Sequence, residues 1–317
     1  MPFKVSAIVP TRNRASVVSQ TVDELLNQTV KFHEILVVDD KSTDATVECL
    51  KKKKGVKVLE LEKHLERSAA RNFGARHAKG DYMAFIEDDS SYDLNWLEEV
   101  KKELAKGAQA VIDRRQVFEP KSFVARLNDA FFTARYRNYT PFSAWVFDKK
   151  LFLELGGFDE SLNCAEDKDL GDRALAKGVK IHFAHNAVQR HRGEPSSWRH
   201  ALKRSWWFGM NMHKYWKKHP GEFRGVKIIL FTAWALAGFS GAVSFIFWPL
   251  LGLGLWGLFL FAFLGLWLGV FVKDLGKGLS KEFIFNHAWY VIVTETVFVW
   301  AYNLSWFKRV IGRTQEA

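Results

Sequence analysis

Over the first 110 residues, short apolar runs alternate with stretches whose apolar residues recur at helical spacing. Lys4-Val5-Ser6-Ala7-Ile8-Val9 reads as a strand closed by Pro10, followed by the polar turn Thr11-Arg12-Asn13-Arg14. Val18, Val22, Leu25 and Leu26 then share one face of a helix with Ser16 as its N-cap. Further strands are expected over residues 34–38, 56–61 and 82–86. Helices are expected from Ser42, Thr43 or Asp44 to about Lys53, and over residues 68–78, where Lys79-Gly80 ends the run. Such alternation at crossover lengths predicts an α/β domain, with a mostly parallel sheet and helices on both faces.

The pattern changes further along. Trp198, Leu202, Trp206 and Met210 recur every four residues among Arg199, Lys203 and Arg204, as in an amphipathic helix at a membrane interface or packed on the protein's own flank. Residues 228–272 then run for 45 positions without Asp, Glu, Lys, Arg or His. Pro249 divides that run into two crossings, 228–248 and 250–272, each long enough for a bilayer. Lys214, Lys217, Lys218, Arg224 and Lys227 precede the hairpin and Lys273, Lys277 and Lys281 follow it, which places both ends in the cytoplasm. A third apolar stretch, 288–307, contains Glu295 and is followed by Lys308-Arg309; a third crossing is expected, with a re-entrant or interfacial segment as the alternatives. The expected organisation is a cytoplasmic domain over residues 1–195, a basic, Trp-rich interfacial segment over 196–225 and a membrane domain over 226–317.

The strands over 34–38 and 82–86 both run into acids, Asp39-Asp40 and Glu87-Asp88-Asp89. Adjacent carboxylates repel one another, and a divalent cation relieves that repulsion. The C-terminal edge of an open α/β sheet is also where ligands bind. The competing reading is that Asp88, Asp89 and Ser90 cap a helix beginning near Leu94. A third acidic run, Glu166-Asp167-Lys168-Asp169, reads on its own as the first turn of a helix. No Gly-x-Gly-x-x-Gly follows the first strand and no Gly-x-x-x-x-Gly-Lys-[Ser/Thr] occurs, which argues against dinucleotide and P-loop sites.

The formal net charge of +11 suits an anionic membrane surface or a phosphate-bearing substrate. No nucleic-acid motif accompanies it, so nucleic acid is not the expected partner. Cys49 and Cys164 lie far apart without metal or redox spacing, consistent with a reducing compartment. The chain begins without a signal-peptide pattern, as expected for a cytoplasmic head.

Four blocks together resemble the family 2 glycosyltransferases, which have the GT-A fold. They are Ala7-Ile8-Val9-Pro10-Thr11-Arg12-Asn13; Val37-Val38-Asp39-Asp40-Lys41-Ser42-Thr43-Asp44; Ala70-Arg71-Asn72-Phe73-Gly74-Ala75 with Phe85-Ile86-Glu87-Asp88-Asp89; and Gly156-Gly157-Phe158-Asp159 with Glu166-Asp167-Lys168-Asp169-Leu170. The resemblance covers about residues 3–192. It implies inverting transfer of a sugar from a UDP- or GDP-sugar, dependent on Mg²⁺ or Mn²⁺. By resemblance, Pro10, Thr11, Arg12, Asn13 and Asp39 hold the nucleoside, Arg71 meets the diphosphate and Asp88 contacts ribose or sugar. Asp89 ligates the metal, with His191 completing that site or meeting the diphosphate beside Arg192. Glu87 stands where Asp is usual and is not assigned as a ligand. Glu166-Asp167 matches the catalytic pair, with Asp167 as general base. Trp145 is either a sugar-stacking ring or a core aromatic.

The membrane segments point to a lipid-linked or glycan acceptor at the cytoplasmic face. Gln189-Arg190-His191-Arg192-Gly193 lacks the Trp of the processive synthases' Gln-x-x-Arg-Trp motif, favouring transfer of single sugars. Two other readings are a sugar nucleotidyltransferase, which would carry a Gly-rich first loop, and a catalytically silent membrane partner, which would have no need of these acids.

Overall fold

The computed structural model describes residues 3–129 and 146–222, together with residues 257, 261, 264, 265, 290, 291 and 293–305. Two compact units emerge. One comprises the described residues up to Pro120 together with those from 146 to Glu194, and the other begins at Lys121 and resumes at Pro195.

The first unit opens with the expected alternation: β1 (Val5–Thr11), α1 (Ala15–Leu26), β2 (Glu34–Asp39), α2 (Thr46–Lys51), β3 (Val56–Glu60), α3 (Glu66–His77) and β4 (Tyr82–Phe85). Side chains alternate across β1. Val5, Ala7 and Val9 join Ile35 and Val37 beneath Val18, Val22 and Leu25 of α1. Ile8 and Val38 face α3, where a Cβ on Gly74 would lie 2.6 Å from Ile8 Cγ2 and 3.0 Å from Val38 Cγ2. That glycine lets α3 settle directly on the sheet. Helix α1 starts one residue before Ser16, with Arg14 at the N-cap and no side-chain cap bond. Asp44 does serve at the next helix entry, accepting from the Thr46 N–H at 3.0 Å.

Beyond β4 the topology departs from a mostly parallel sheet. The chain adds β5 (Ser90–Tyr92), α4 (Trp96–Ala105), β6 (Ala110–Val117), β7 (Val146–Asp148), α5 (Lys149–Glu154), α6 (Glu166–Ala176) and β8 (Ile181–His191). The sheet has eight strands in the order β3-β2-β1-β4-β7-β6-β8-β5. The β1–β2, β2–β3, β1–β4 and β6–β8 pairings are parallel, whereas β4–β7, β6–β7 and β5–β8 are antiparallel. The parallel half followed from apolar periodicity. The antiparallel half did not, because β5 and β7 have three residues each and pair over long sequence separations.

The second unit contains the helical stretch around Asn128, α7 (Trp198–Asn211) and the helical residues 293–305. Asn128 donates to the Pro195 carbonyl at 3.1 Å and accepts from Tyr290 Oη at 3.1 Å. The seam of α7 consists of its small residues. A Cβ on Gly209 would come within 2.1 Å of the Phe298 carbonyl oxygen and 2.8 Å of Ala301 Cβ. The four-residue apolar recurrence therefore does not mark the buried face. Ala201 and Gly209 are buried, while Trp198 and Trp206 are 39% and 42% exposed. Among the described residues no helix is long and apolar enough to cross a membrane. The expected crossings at 228–248 and 250–272 lie outside the described residues, apart from isolated positions of the second, as do the ends of 288–307.

Candidate active site

Parallel pairing of β1 with β4, with Ile8 opposite Phe85, brings the turn after β1 beside the acids after β4. Thr11 Oγ1 donates to Asp88 Oδ2 at 2.8 Å, and Arg14 Nη1 lies 2.9 Å from Asp88 Oδ1 and 2.8 Å from Asp89 Oδ2. These acids cap no helix. The chain forms β5 first, and α4 begins only after Asn95.

Antiparallel pairing of β5 with β8 sets Ser90 opposite His191. His191 Nε2 thereby reaches Asp89 Oδ1 at 3.1 Å and Glu87 Oε2 at 3.5 Å. One ligand atom each from Glu87, Asp89 and His191 lies within 4.8 Å of the others. Glu87 therefore joins the cluster from which its departure from the family pattern had excluded it. Arg115 Nη1 at 3.1 Å and Gln189 Nε2 at 2.8 Å hold Glu87 in place, and Arg115 also grips Glu194 at 2.7 Å. Gly193 provides the room, since a Cβ there would stand 2.7 Å from His191 Cε1 and 2.8 Å from Asp89 Oδ2.

Neighbouring charges separate the three acids. Burial works against ionisation of Asp89, but the hydrogen bond and charge of His191 and the charge of Arg14 outweigh it, holding Asp89 well below the usual carboxylate range. Glu87 is also lowered: burial opposes this, and Arg115 and His191 prevail. Asp88 is raised, because burial exceeds what Arg14 and Thr11 return. The difference from Asp89, which shares Arg14, is the missing His191. Two carboxylates and an imidazole make a mixed oxygen and nitrogen set, so these residues fit a divalent cation.

The second acidic cluster begins α6. Its position depends on a turn held from α3: Asn72 Nδ2 donates to the Phe158 carbonyl at 2.9 Å, and Asn72 Oδ1 accepts from the Phe158 N–H at 2.9 Å. Gly157, at φ +71°, passes so close that a Cβ would meet Asn72 Oδ1 at 2.7 Å. Arg173 Nη2 donates to the Gly157 carbonyl at 2.7 Å, tying the turn to α6. From the adjacent position on α3, buried Arg71 reaches Glu166 Oε1 at 3.0 Å. Asp167 lies beside this pair, half-buried, and accepts from the Lys168 N–H at 2.7 Å. Burial, with the Glu166 charge beside it, pushes Asp167 up to about 6. The Glu87 charge adds to that rise, while Arg71 favours the ionised form of both Asp167 and Glu87.

The remaining expected residues line the strand ends. Asp39 closes β2; its Oδ2 accepts from the Ser42 N–H at 2.9 Å, while its buried Oδ1 has no hydrogen-bond partner among the described residues. Its neighbour Asp40 is structural, accepting from the N–H groups of Leu65 at 2.7 Å and Glu66 at 3.0 Å. Asn13, at φ +53°, pins the two loops together by accepting from the Thr43 N–H at 2.7 Å and donating its own N–H to Ser42 Oγ at 2.9 Å. Pro10 is half-buried in β1, and Arg12 is exposed beyond it. Trp145 lies outside the described residues. Sequence reasoning passed over Arg14, Arg115 and Gln189. The available signal for Arg14 was a basic residue in the β1 turn facing acids at the end of a neighbouring parallel strand.

Comparison with known proteins bears on the family and the fold. The family described as "Glycosyl transferase family 2" matches residues 6–157, and "Glycosyl transferase family group 2" matches residues 85–302. An uncharacterized glycosyltransferase, YwdF of Bacillus subtilis, is 29% identical over 190 residues, covering 56% of this chain and 70% of its own. AglE, a glycosyltransferase of Haloferax volcanii, is 25% identical over 253 residues, covering 75% and 82%. The poly(ribitol-phosphate) beta-glucosyltransferase of Bacillus spizizenii is 33% identical over 140 residues, which is 40% of this chain but 22% of that longer protein. Among solved structures, the mannosyltransferase PcManGT of Pyrobaculum calidifontis, in complex with GDP-Man and Mn²⁺, superposes with a TM-score of 0.55 at 20% identity, covering 71% of this chain and 66% of its own. TarS of S. aureus gives 0.51 at 19% identity, covering 70% and 44%. These likenesses show a GT-A-like α/β fold.

Proposed function

The chain belongs to glycosyl transferase family group 2 and is a glycosyltransferase, and we propose that it transfers one sugar from a UDP- or GDP-sugar, with inversion, to a lipid-linked acceptor at the cytoplasmic face of a membrane. What supports this reading is that Arg71, 3.0 Å from Glu166 Oε1, also favours ionisation of Glu87, so its charge bears on both acidic clusters.

In this account Asp39 uses its unpartnered Oδ1 to accept from the nucleoside, and the turn Pro10–Asn13 walls that end of the site. A cation held by Glu87, Asp89 and His191 would neutralise the charge that develops on the leaving diphosphate. Arg71 supports the same charge from the α3 side while keeping Glu166 in place. Asp167 takes the proton of the acceptor hydroxyl. The acceptor oxygen then bonds to the anomeric carbon as the bond from that carbon to the diphosphate oxygen breaks, so configuration inverts in a single displacement. A carboxylate raised to about 6 is a better proton acceptor than an ordinary Asp and is still ionised at pH 7. Support for the donor class comes from the PcManGT complex with GDP-Man and Mn²⁺. Support for the membrane comes from the uncharged run 228–272 and from the exposed rings of Trp198, Trp206 and Trp207 on α7.

The test is a panel of UDP- and GDP-sugars given to the detergent-solubilised full chain with polyprenyl phosphates and glycolipids, measuring nucleoside diphosphate release and the labelled lipid product. Cation-dependent labelling of a lipid by one donor is expected. Sugar transfer only to water-soluble acceptors would remove the lipid from the account, and full activity in EDTA would remove the cation.

A further inference from the structure

Arg14 takes no part in the scheme above, yet it holds the most consequential contact in the site. A single nitrogen, Nη1, bridges Asp88 Oδ1 at 2.9 Å and Asp89 Oδ2 at 2.8 Å. The other Asp89 oxygen already faces His191 Nε2 at 3.1 Å. Both oxygens of Asp89 are thus engaged by nitrogen groups, and a divalent cation that recruits Asp89 through Oδ2 must compete with a guanidinium. The backbone at Arg14 is fixed: its N–H donates to Thr46 Oγ1 at 3.0 Å, and its carbonyl accepts from the Val18 N–H at 3.0 Å. Its side chain is 46% exposed, against 13% and 15% for Asp88 and Asp89. The guanidinium can therefore swing outward without disturbing α1.

We propose that Arg14 is a resident counter-ion of the Asp88-Asp89 pair, one that competes with the divalent cation until a nucleoside diphosphate draws it away. A guanidinium and a divalent cation sharing one carboxylate repel each other at short range. A diphosphate relieves this by giving the guanidinium a second anion, which it can bind through two parallel N–H···O bonds. Cation and nucleotide then bind cooperatively, and the empty site stays charge-compensated. The inference rests on the metal-dependent reading above.

Mn²⁺ titration of the full chain, followed by the electron paramagnetic resonance of free Mn²⁺ with and without UDP or GDP, tests it. For wild type, the diphosphate should tighten Mn²⁺ binding. Arg14→Gln should bind Mn²⁺ about tenfold more tightly than wild type without nucleotide and lose most of the tightening by nucleotide. Arg14→Lys, which keeps the charge but loses the fork, should fall between them without nucleotide. Circular dichroism identical to wild type shows that each variant is folded, and Arg14→Lys carries the comparison should Arg14→Gln fail this check. Equal or weaker Mn²⁺ binding by the folded variants, with nucleotide still tightening Mn²⁺ in all proteins, overturns the counter-ion role and leaves the metal site standing. No Mn²⁺ binding by any protein under any condition overturns both.

Discussion

Asp167→Asn should inactivate the enzyme and stabilise it at the same time. The wild-type carboxyl is held at about 6 against an ordinary value of 3.8, because ionising it means placing charge in a half-buried position beside Glu166. Asparagine keeps the carbonyl that accepts from the Lys168 N–H and removes the charge. The rise of about 2 units corresponds to about 3 kcal/mol at neutral pH, taken as an upper bound. For a chain of this size that is about 6 °C in Tm at most. The sign follows from proton binding: between pH 3.8 and about 6 the folded wild type binds the proton that the unfolded chain has released, so its stability falls as pH rises through that window. The variant has no such loss. Thermal unfolding at a series of pH values should show coincident midpoints below pH 4, a gap opening from pH 4 to 6 and a constant gap above. Transfer by wild type should reach half its maximum near pH 6, as Asp167 becomes able to accept a proton, while the variant binds donor without turnover. A pH-independent gap, a less stable variant or retained transfer would refute the assignment.

Two glycines give further tests. Gly193→Ala places a methyl group 2.7 Å from His191 Cε1 and 2.8 Å from Asp89 Oδ2, and should weaken Mn²⁺ binding by about tenfold with little change in Tm; calorimetric titration showing unchanged affinity would mean that His191 does not ligate. Gly209→Ala drives a Cβ to 2.1 Å from the Phe298 carbonyl oxygen and should cost the second unit about 1–3 kcal/mol, read as a lower Tm by tryptophan fluorescence. An unchanged Tm would show that α7 and the helical residues 293–305 are not held at that distance.

The part of the molecule legible in sequence was the part written locally. Val18, Val22 and Leu25 recur at helical spacing and are buried, and the acids at the ends of β2 and β4 stand where apolar strands stop. What escaped was set by pairing between distant segments. His191 was read beside Asp89 from the family resemblance, but Glu87, 104 positions before it, was left out, and the antiparallel seating of β5 on β8 brings it to the same cluster. Arg14 likewise meets Asp88 and Asp89 because β1 and β4 are adjacent, which the order of residues does not display. On α7 the tryptophans are a conspicuous pattern, yet the interior face belongs to Ala201 and Gly209, since a close helix crossing selects for small side chains.

The central claim is that one substrate meets both acidic clusters. The most direct measurement is the anomalous scattering of Mn²⁺ in crystals of the full chain grown with Mn²⁺ and a non-hydrolysable UDP- or GDP-sugar. The account predicts the Mn²⁺ peak at coordination distance from Asp89 and His191, with the diphosphate against it and the Asp167 carboxylate facing the anomeric carbon on the side opposite the leaving oxygen. A Mn²⁺ peak away from Asp89, or a sugar turned away from Asp167, would contradict it.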